Sequence, residues 1–368
     1  MQPLTSTNRT ALAGATATSA LAAVIGLGWL LLPGSSFFYA DPGNAWLAGL
    51  AGVVPATVVH TVTALLGVAV GLAALARAVP RGVVVAGAAA QLLCFGLALQ
   101  SMGTLSIAGY LVAMAMPAVV VVVLVQVVRR YPLARWVVGL PALTAIVLGV
   151  VLGHEALATL ATALATGLAE QTPRLLVALL LLLTGTSWAA TLATTLSGTP
   201  AAVRATAWVT RHRTVITVVA ACGPLPYALI RLTWLLPSGL VPPALAPDGL
   251  DLSVRIWGLL LSSGAWLGFV LTLGLVRPWG EVFPRWVPGL AGRPVPVAAA
   301  AVPGGLVAAV LCFTAVPMLF TLPDGTLTEA VTMALVFPCW LWGPALALAL
   351  WGYVGHRRSG DAGGRPAG

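Results

Sequence analysis

Apolar runs of about twenty residues, separated by short polar or proline-bearing breaks, recur along the whole chain. Twenty residues is the length a helix needs to cross a bilayer core of about 30 Å. That ruler predicts ten spans: Ala11 to Leu32, Pro55 to Ala76, Gly82 to Leu99, Ile107 to Val128, Trp136 to Leu152, Leu175 to Leu196, Thr214 to Leu236, Trp257 to Val276, Val297 to Phe320 and Ala330 to Val354. The expected fold class is an all-α polytopic integral membrane protein in contact with the lipid bilayer. Composition agrees, because a chain of 368 residues that is 60% hydrophobic and 7% charged cannot cover a soluble globule with an ordinary surface.

Charge orients the ladder. All 18 basic residues are arginine, and threading the ten spans back and forth puts Arg9, Arg77, Arg81, Arg129, Arg130, Arg135, Arg204, Arg211, Arg213, Arg277, Arg285, Arg293, Arg357, Arg358 and Arg365 on one face. Arg174 and Arg255 fall opposite, and Arg231 falls within a span. Positive loops resist translocation, so the arginine-rich face and both termini are expected in the cytoplasm of a bacterial plasma membrane. The formal charge of +9 does not point to nucleic acid, since the arginines are spread over six short loops and tails with no basic domain. The first span outruns a signal-peptide core and lacks an A-x-A-like site, so it is read as a retained helix. Cys94, Cys222, Cys312 and Cys339 lie within spans without a CxxC pair. No metal site or cofactor is expected.

The two ends of the chain share an ordered set of motifs. Arg9-Thr10 and Arg213-Thr214 open matching spans that end in Trp29-Leu30-Leu31-Leu32-Pro33 and Trp234-Leu235-Leu236-Pro237. Leu93-Cys94-Phe95 recurs as Leu311-Cys312-Phe313, Pro117 as Pro338, and Arg129-Arg130 as Arg357-Arg358. These matches predict two parallel four-helix repeats, residues 1–130 and 210–358, separated by two helices in 131–209 and followed by a disordered tail in 359–368. Parallel repeats of this kind occur in transporters. Glycines four apart, Gly67 with Gly71, Gly149 with Gly153 and Gly264 with Gly268, mark helix faces that approach closely.

Arg231 carries the strongest chemical signal, because a charge at the centre of a span costs about 2.5 to 3.5 kcal/mol on insertion scales. Tyr227 precedes it by one turn and Trp234 follows at i+3, a spacing that lets aromatic faces cover the guanidinium. Two readings stand: a snorkel to the outer headgroups, or an inward contact with an anionic group. The same span holds Gly223-Pro224-Leu225-Pro226, and Pro224 and Pro226 remove the donors that would serve the carbonyls of Ala220 and Cys222. Such breaks form midplane sites in transporters and simple kinks elsewhere. His60, Glu155 and Tyr110, with His154 and Gln100, are placed near the same outer level and join Arg231 and Tyr227 as candidate substrate-binding residues. His154-Glu155 is no zinc-protease signature, since Ala158 stands where H-E-x-x-H needs histidine.

The loop from Arg277 to Arg293 mixes tryptophans and arginines with helix-breaking prolines. It suits a headgroup anchor, or docking of a membrane or cytoplasmic protein partner through Trp279, Glu281, Arg285 and Trp286. This segment resembles one in uncharacterised multi-pass membrane proteins of high-GC actinobacteria, a resemblance that fits the lack of lysine and implies no substrate or catalytic residues. Span number, duplication and broken helices favour a permease or exporter for an unknown small molecule or lipid-like substrate. A noncatalytic membrane subunit or scaffold is the alternative. A lipid-linked transferase using Asp41 in the first outer loop is a third, resting on analogy.

Overall fold

The computed structural model describes residues 6–32, 34–40, 45–101, 103–105, 109, 121–122, 125–126, 128–129, 136, 140–237, 252–285, 287, 290–320 and 326–363. Among them the architecture is all-helical, with one isolated antiparallel bridge between Val282 and Pro294. The helices are α1 (Ser6–Leu31), α2 (Trp46–Ala51), α3 (Val53–Leu75), α4 (Arg81–Leu93), which runs into a π turn (Cys94–Ala98), and α5 (Leu140–Leu196). After these come α6 (Pro200–Arg211), α7 (Arg213–Cys222), α8 (Leu225–Thr233), α9 (Leu252–Gly274), α10 (Val297–Phe320), α11 (Leu327–Val336) and α12 (Cys339–Gly363).

Eight stretches of the described residues are long and apolar enough to cross a membrane: Thr7–Leu31, Val53–Leu75, Arg81–Ala98, Ala169–Leu196, Arg213–Thr233, Val254–Gly274, Val297–Met318 and Ala330–Ser359. The protein is therefore a polytopic α-helical membrane protein, and each of these stretches coincides with a span read from the sequence. The fourth expected span, Ile107 to Val128, lies largely outside the described residues, as does Pro117. The expected break between the fifth and sixth spans is replaced by a single 57-residue helix, α5, which runs through Leu152, His154, Glu155 and Leu175 with Pro173 inside it. At 1.5 Å per residue it is about 85 Å long. Hydropathy dips between Gly153 and Arg174, but the segment is rich in Ala and Leu, which hold a helix without regard to polarity.

Burial within the bundle is inverted relative to a soluble protein. Along α3 the inward positions are Ala56, Thr57, His60, Thr61, Ala64, Gly67, Gly71 and Ala74, while Val54, Val58, Val62, Leu65, Leu66 and Leu72 face outward. Lipid is as apolar as leucine, so burying large side chains gains little, and small residues that let backbones approach decide the packing. Gly67 faces Ser19 and Gln91, and Gly71 faces Thr16. The Trp188 indole N–H donates to Ser19 Oγ at 2.9 Å, and Gln91 Nε2 donates to the Thr63 carbonyl at 2.6 Å. These contacts tie α1, α3, α4 and α5 into one bundle.

The second bundle packs α12 against α10 and α7, and α9 against α7 and α8. The two meet where Phe313 of α10 lies between Gly96 of the π turn and Gly185 of α5. Phe95, the counterpart of Phe313 in the sequence match, turns instead to His60, with ring centroids 5.5 Å apart. The two Leu-Cys-Phe motifs thus occupy different surroundings.

Helix ends that the arginine pattern assigns to one face do meet. Thr194 Oγ1 lies 3.3 Å from Asn8 Oδ1, and Arg81 donates to the carbonyl of Thr195. In the second bundle Arg213, Glu281 and His356 converge.

Candidate functional site

Two helix breaks define the site. The proline at 224 has no N–H to give Ala220, whose carbonyl accepts instead from Gly223 at 3.2 Å. Pro226 likewise leaves the Cys222 carbonyl without a backbone donor, so α7 stops and α8 restarts after Gly223 and Pro224. Ala220 is therefore a tightened turn and Cys222 the open one. The second break lies at Phe337-Pro338, between α11 and α12, where the N–H groups of Leu341 and Trp342 fold back to the Pro338 carbonyl.

The breaks face each other. A side chain at Gly223 would overlap the Trp342 ring, so the notch in one broken helix is filled by an indole from the other. From there aromatic rings continue toward Arg231: Trp342 to Phe337 at 5.7 Å, then Phe337 to Tyr227 at 5.1 Å, both edge-to-face. The Arg231 guanidinium stands 5.0 Å from the Tyr227 ring and 3.8 Å from that of Trp234. Both contacts are favourable to a cation, most of all where water is scarce. Gly258 of α9 makes room for the Trp234 ring and the guanidinium. Arg255, one turn earlier, donates from Nη1 to the carbonyls of Trp234 and Leu236, each at 2.6 Å, and so caps the end of α8.

Arg231 itself is half-buried and makes no hydrogen bond or ion pair to any described residue. Its five N–H donors are held beside aromatic faces, which take no conventional hydrogen bond. The Trp342 indole N–H, at the other end of the ring series, is buried without an acceptor among the described residues. The arrangement offers hydrogen-bond donors at both ends of an aromatic run that leads from the Arg231 end of α8 to the helix breaks.

The structure brings together Arg231, Tyr227, Cys222, Pro224 and Pro226, and adds Phe337, Trp342, Trp234, Gly223 and Gly258. The sequence singled out Pro338 as the counterpart of Pro117 but passed over its neighbour Phe337 and Trp342 four residues beyond. Their spacing about that proline was the available signal. His60 belongs elsewhere. It is fully buried between α1 and α3 among the rings of Trp29, Tyr39 and Phe95. Its Nε2–H donates to the Ala22 carbonyl at 2.9 Å, which fixes the tautomer and leaves Nδ1 to accept from the Tyr39 hydroxyl at 2.9 Å. Tyr39, in the turn after α1, is buried too, and burial pushes its phenol above the ordinary tyrosine range. Both nitrogens of His60 are thereby spent on packing. Gln100 is buried as well, donating to the Phe95 carbonyl at 2.6 Å. Tyr110 and Asp41 lie outside the described residues, and Glu155 is described by its backbone alone.

The loop after α9 folds back on its own chain. Trp279 covers Gly274, and Gly280 sits so close to the Gly274 carbonyl that no side chain fits there. Phe283 N–H donates to the Arg293 carbonyl at 2.9 Å and Val295 N–H to that of Glu281 at 2.8 Å, which closes a hairpin-like strap. Tyr353 donates to the Gly280 carbonyl and Arg357 to that of Val295, both at 2.9 Å. Glu281 lies 3.9 Å from Arg213 and 3.4 Å from His356 Nε2. Arg285 stays exposed, and Trp286 lies outside the described residues.

No protein-family model, curated protein or solved structure matches this chain.

Proposed function

We propose that this chain is a permease or exporter for an amphiphile carrying an anionic group, with Arg231 as the anion contact and the Tyr227, Phe337 and Trp342 rings as the path for its apolar part. In this reading the protein crosses a bacterial plasma membrane with its arginine-bearing helix ends and both termini cytoplasmic and the Arg231 end of α8 outside. The observation that carries it is a half-buried guanidinium with aromatic neighbours and no acceptor among the described residues, next to two facing helix breaks. Transporters place substrate at discontinuous helices of this kind. The parallel duplication belongs to the same proposal.

The scaffold reading draws on the glycine faces, but Gly67 and Gly71 are already filled by Ser19, Gln91 and Thr16 of the same chain. That leaves less small-residue surface for a partner.

The test uses dansyl-undecanoate, a fluorescent amphiphile with one carboxylate, on the purified chain in neutral detergent and in proteoliposomes. Wild type should bind it saturably, and dodecyl phosphate should displace it. Arg231→Lys keeps the charge but loses the planar donor fork, so both it and Arg231→Gln should weaken binding about tenfold or more at unchanged melting temperature. Equal binding by all three forms removes Arg231 from the site. Binding without movement across the proteoliposome membrane removes the permease reading.

A further inference from the structure

Between the membrane-crossing part of α5 and α7, the chain forms a helix that the span pattern left as a loop. Gly198, at φ +79°, closes α5. Thr199 then caps α6 by accepting from Ala202 N–H at 3.1 Å, and Pro200 occupies the first helical position, where no N–H is needed. Helix α6 packs on α12 through one side only. Thr206 and Thr210, a turn apart, both reach Gly355, and Val209 and Arg213, also four apart, both reach Gly352. Trp351 Nε1 donates to Thr206 Oγ1 at 3.1 Å. The contacts advance in step, from Gly355 at Thr206 and Thr210 to Gly352 at Val209 and Arg213, the first residue of α7, so α6 runs alongside the arginine-bearing end of α12 in the opposite sense.

The opposite side of α6 packs on no other helix among the described residues and is mixed in character. Val203 and Trp208 are 59% and 57% exposed, and Arg204 and Arg211 are exposed beside them. Neither arginine makes a hydrogen bond or ion pair to a described residue. Trp208 is steadied by His212, whose ring centroid lies 4.6 Å away and whose Nδ1–H donates to the Trp208 carbonyl at 2.9 Å. The helix has no acidic residue. A helix end with aliphatic, indole and guanidinium groups on its outward face suits the boundary between headgroups and acyl chains.

We propose that the outward face of α6, made of Val203, Arg204, Trp208 and Arg211, is an anchor that binds the phosphates of anionic lipids in the leaflet beside it. The commitment to lipid rests on charge complementarity and on position, since α6 joins two membrane-crossing segments at their arginine-rich ends. It does not depend on the permease reading.

The full chain, exchanged into nanodiscs of equal phosphatidylglycerol and phosphatidylcholine, is released and its retained lipids are counted by native mass spectrometry. Wild type should retain phosphatidylglycerol in preference on the order of tenfold, a magnitude two guanidinium contacts can supply. Arg204→Gln with Arg211→Gln should cut that preference several-fold at unchanged melting temperature, whereas Arg285→Gln, an exposed arginine on the strap, should leave it intact. Retention by the double variant equal to wild type overturns the proposal, and so does displacement of the lipid by glycerol phosphate at equal concentration, which would mean a soluble phosphate site. A second measurement needs no arginine change: a nitroxide on Val203→Cys, with the native cysteines replaced, should meet oxygen more readily than a nickel chelate in phosphatidylglycerol bilayers. Free access by the chelate would place this face in water, open to a protein partner, and would overturn the lipid assignment.

Discussion

The indole of Trp342 fills the space that Gly223 leaves in the break between α7 and α8, so two helices interrupted by proline interlock at their interruptions. A broken helix in a membrane needs such a neighbour, because its freed backbone groups and lost bulk must be covered by protein. The pair fixes where the aromatic series begins and therefore how Arg231, at its far end, stands relative to the breaks.

Gly223→Ala is expected to push the Trp342 ring out of the notch and lower stability by about 1 to 3 kcal/mol, the usual cost of overpacking. Thermal unfolding in detergent measures it. Trp342→Leu in the same chain should recover much of the loss, since the residue that the new methyl strikes is then gone. A stable Gly223→Ala protein with unaltered tryptophan emission would mean the two helices do not interlock.

Gly258→Ala tests the other end of the series. The added methyl would strike the Trp234 ring and come within 3.2 Å of an Arg231 nitrogen. Binding of dansyl-undecanoate should fall about as far as in Arg231→Gln although no charge has been removed. Undiminished binding by the variant would show that the Trp234 contact is not what positions the guanidinium.

His60→Ala should behave in the opposite way to Arg231→Gln. Removing a fully buried ring that bonds both Ala22 and Tyr39 leaves a cavity and two polar groups without partners, a loss of about 2 to 5 kcal/mol. Amphiphile binding, measured at a temperature where the variant is folded, should match wild type. A stable protein with lost binding would return His60 to the site.

The strap separates charge from close packing. Glu281→Gln removes pairs that are a third or more exposed on the carboxylate side, so it should change stability by under about 1 kcal/mol. Gly280→Ala should cost considerably more, because its methyl meets the Gly274 backbone, which has no side chain to rotate away. Melting temperatures of the two variants, measured side by side, give the order directly. A larger loss for Glu281→Gln would make the ion pairs the principal fastening.

Sidedness is open to thiol labelling. With the native cysteines replaced, a cysteine at Asp248 should react with an impermeant maleimide in intact cells, and one at Arg285 only after lysis. Reaction of position 285 from outside would invert the arginine-based orientation.

The sequence alone determined which stretches are apolar enough to cross a membrane, which helix ends carry the arginines, and where prolines interrupt the backbone at Pro224, Pro226 and Pro338. Those properties are local: transfer free energy accumulates residue by residue, and a missing N–H is missing in any fold. The Arg231 pairing with Tyr227 and Trp234 was legible for the same reason, as all three lie within two turns of one span. The tertiary structure alone decided that Phe337 and Trp342 join that group, that His60 is occupied by Ala22 and Tyr39 on the α1 and α3 side, that α5 continues unbroken through Glu155, and that Glu281 turns inward to Arg213 and His356. Hydropathy cannot choose among helices that lipid solvates equally well. The choice falls to shape, to the notch at Gly223 or Gly258 and the ring that fits it, and those partners are set by residues far apart in the chain.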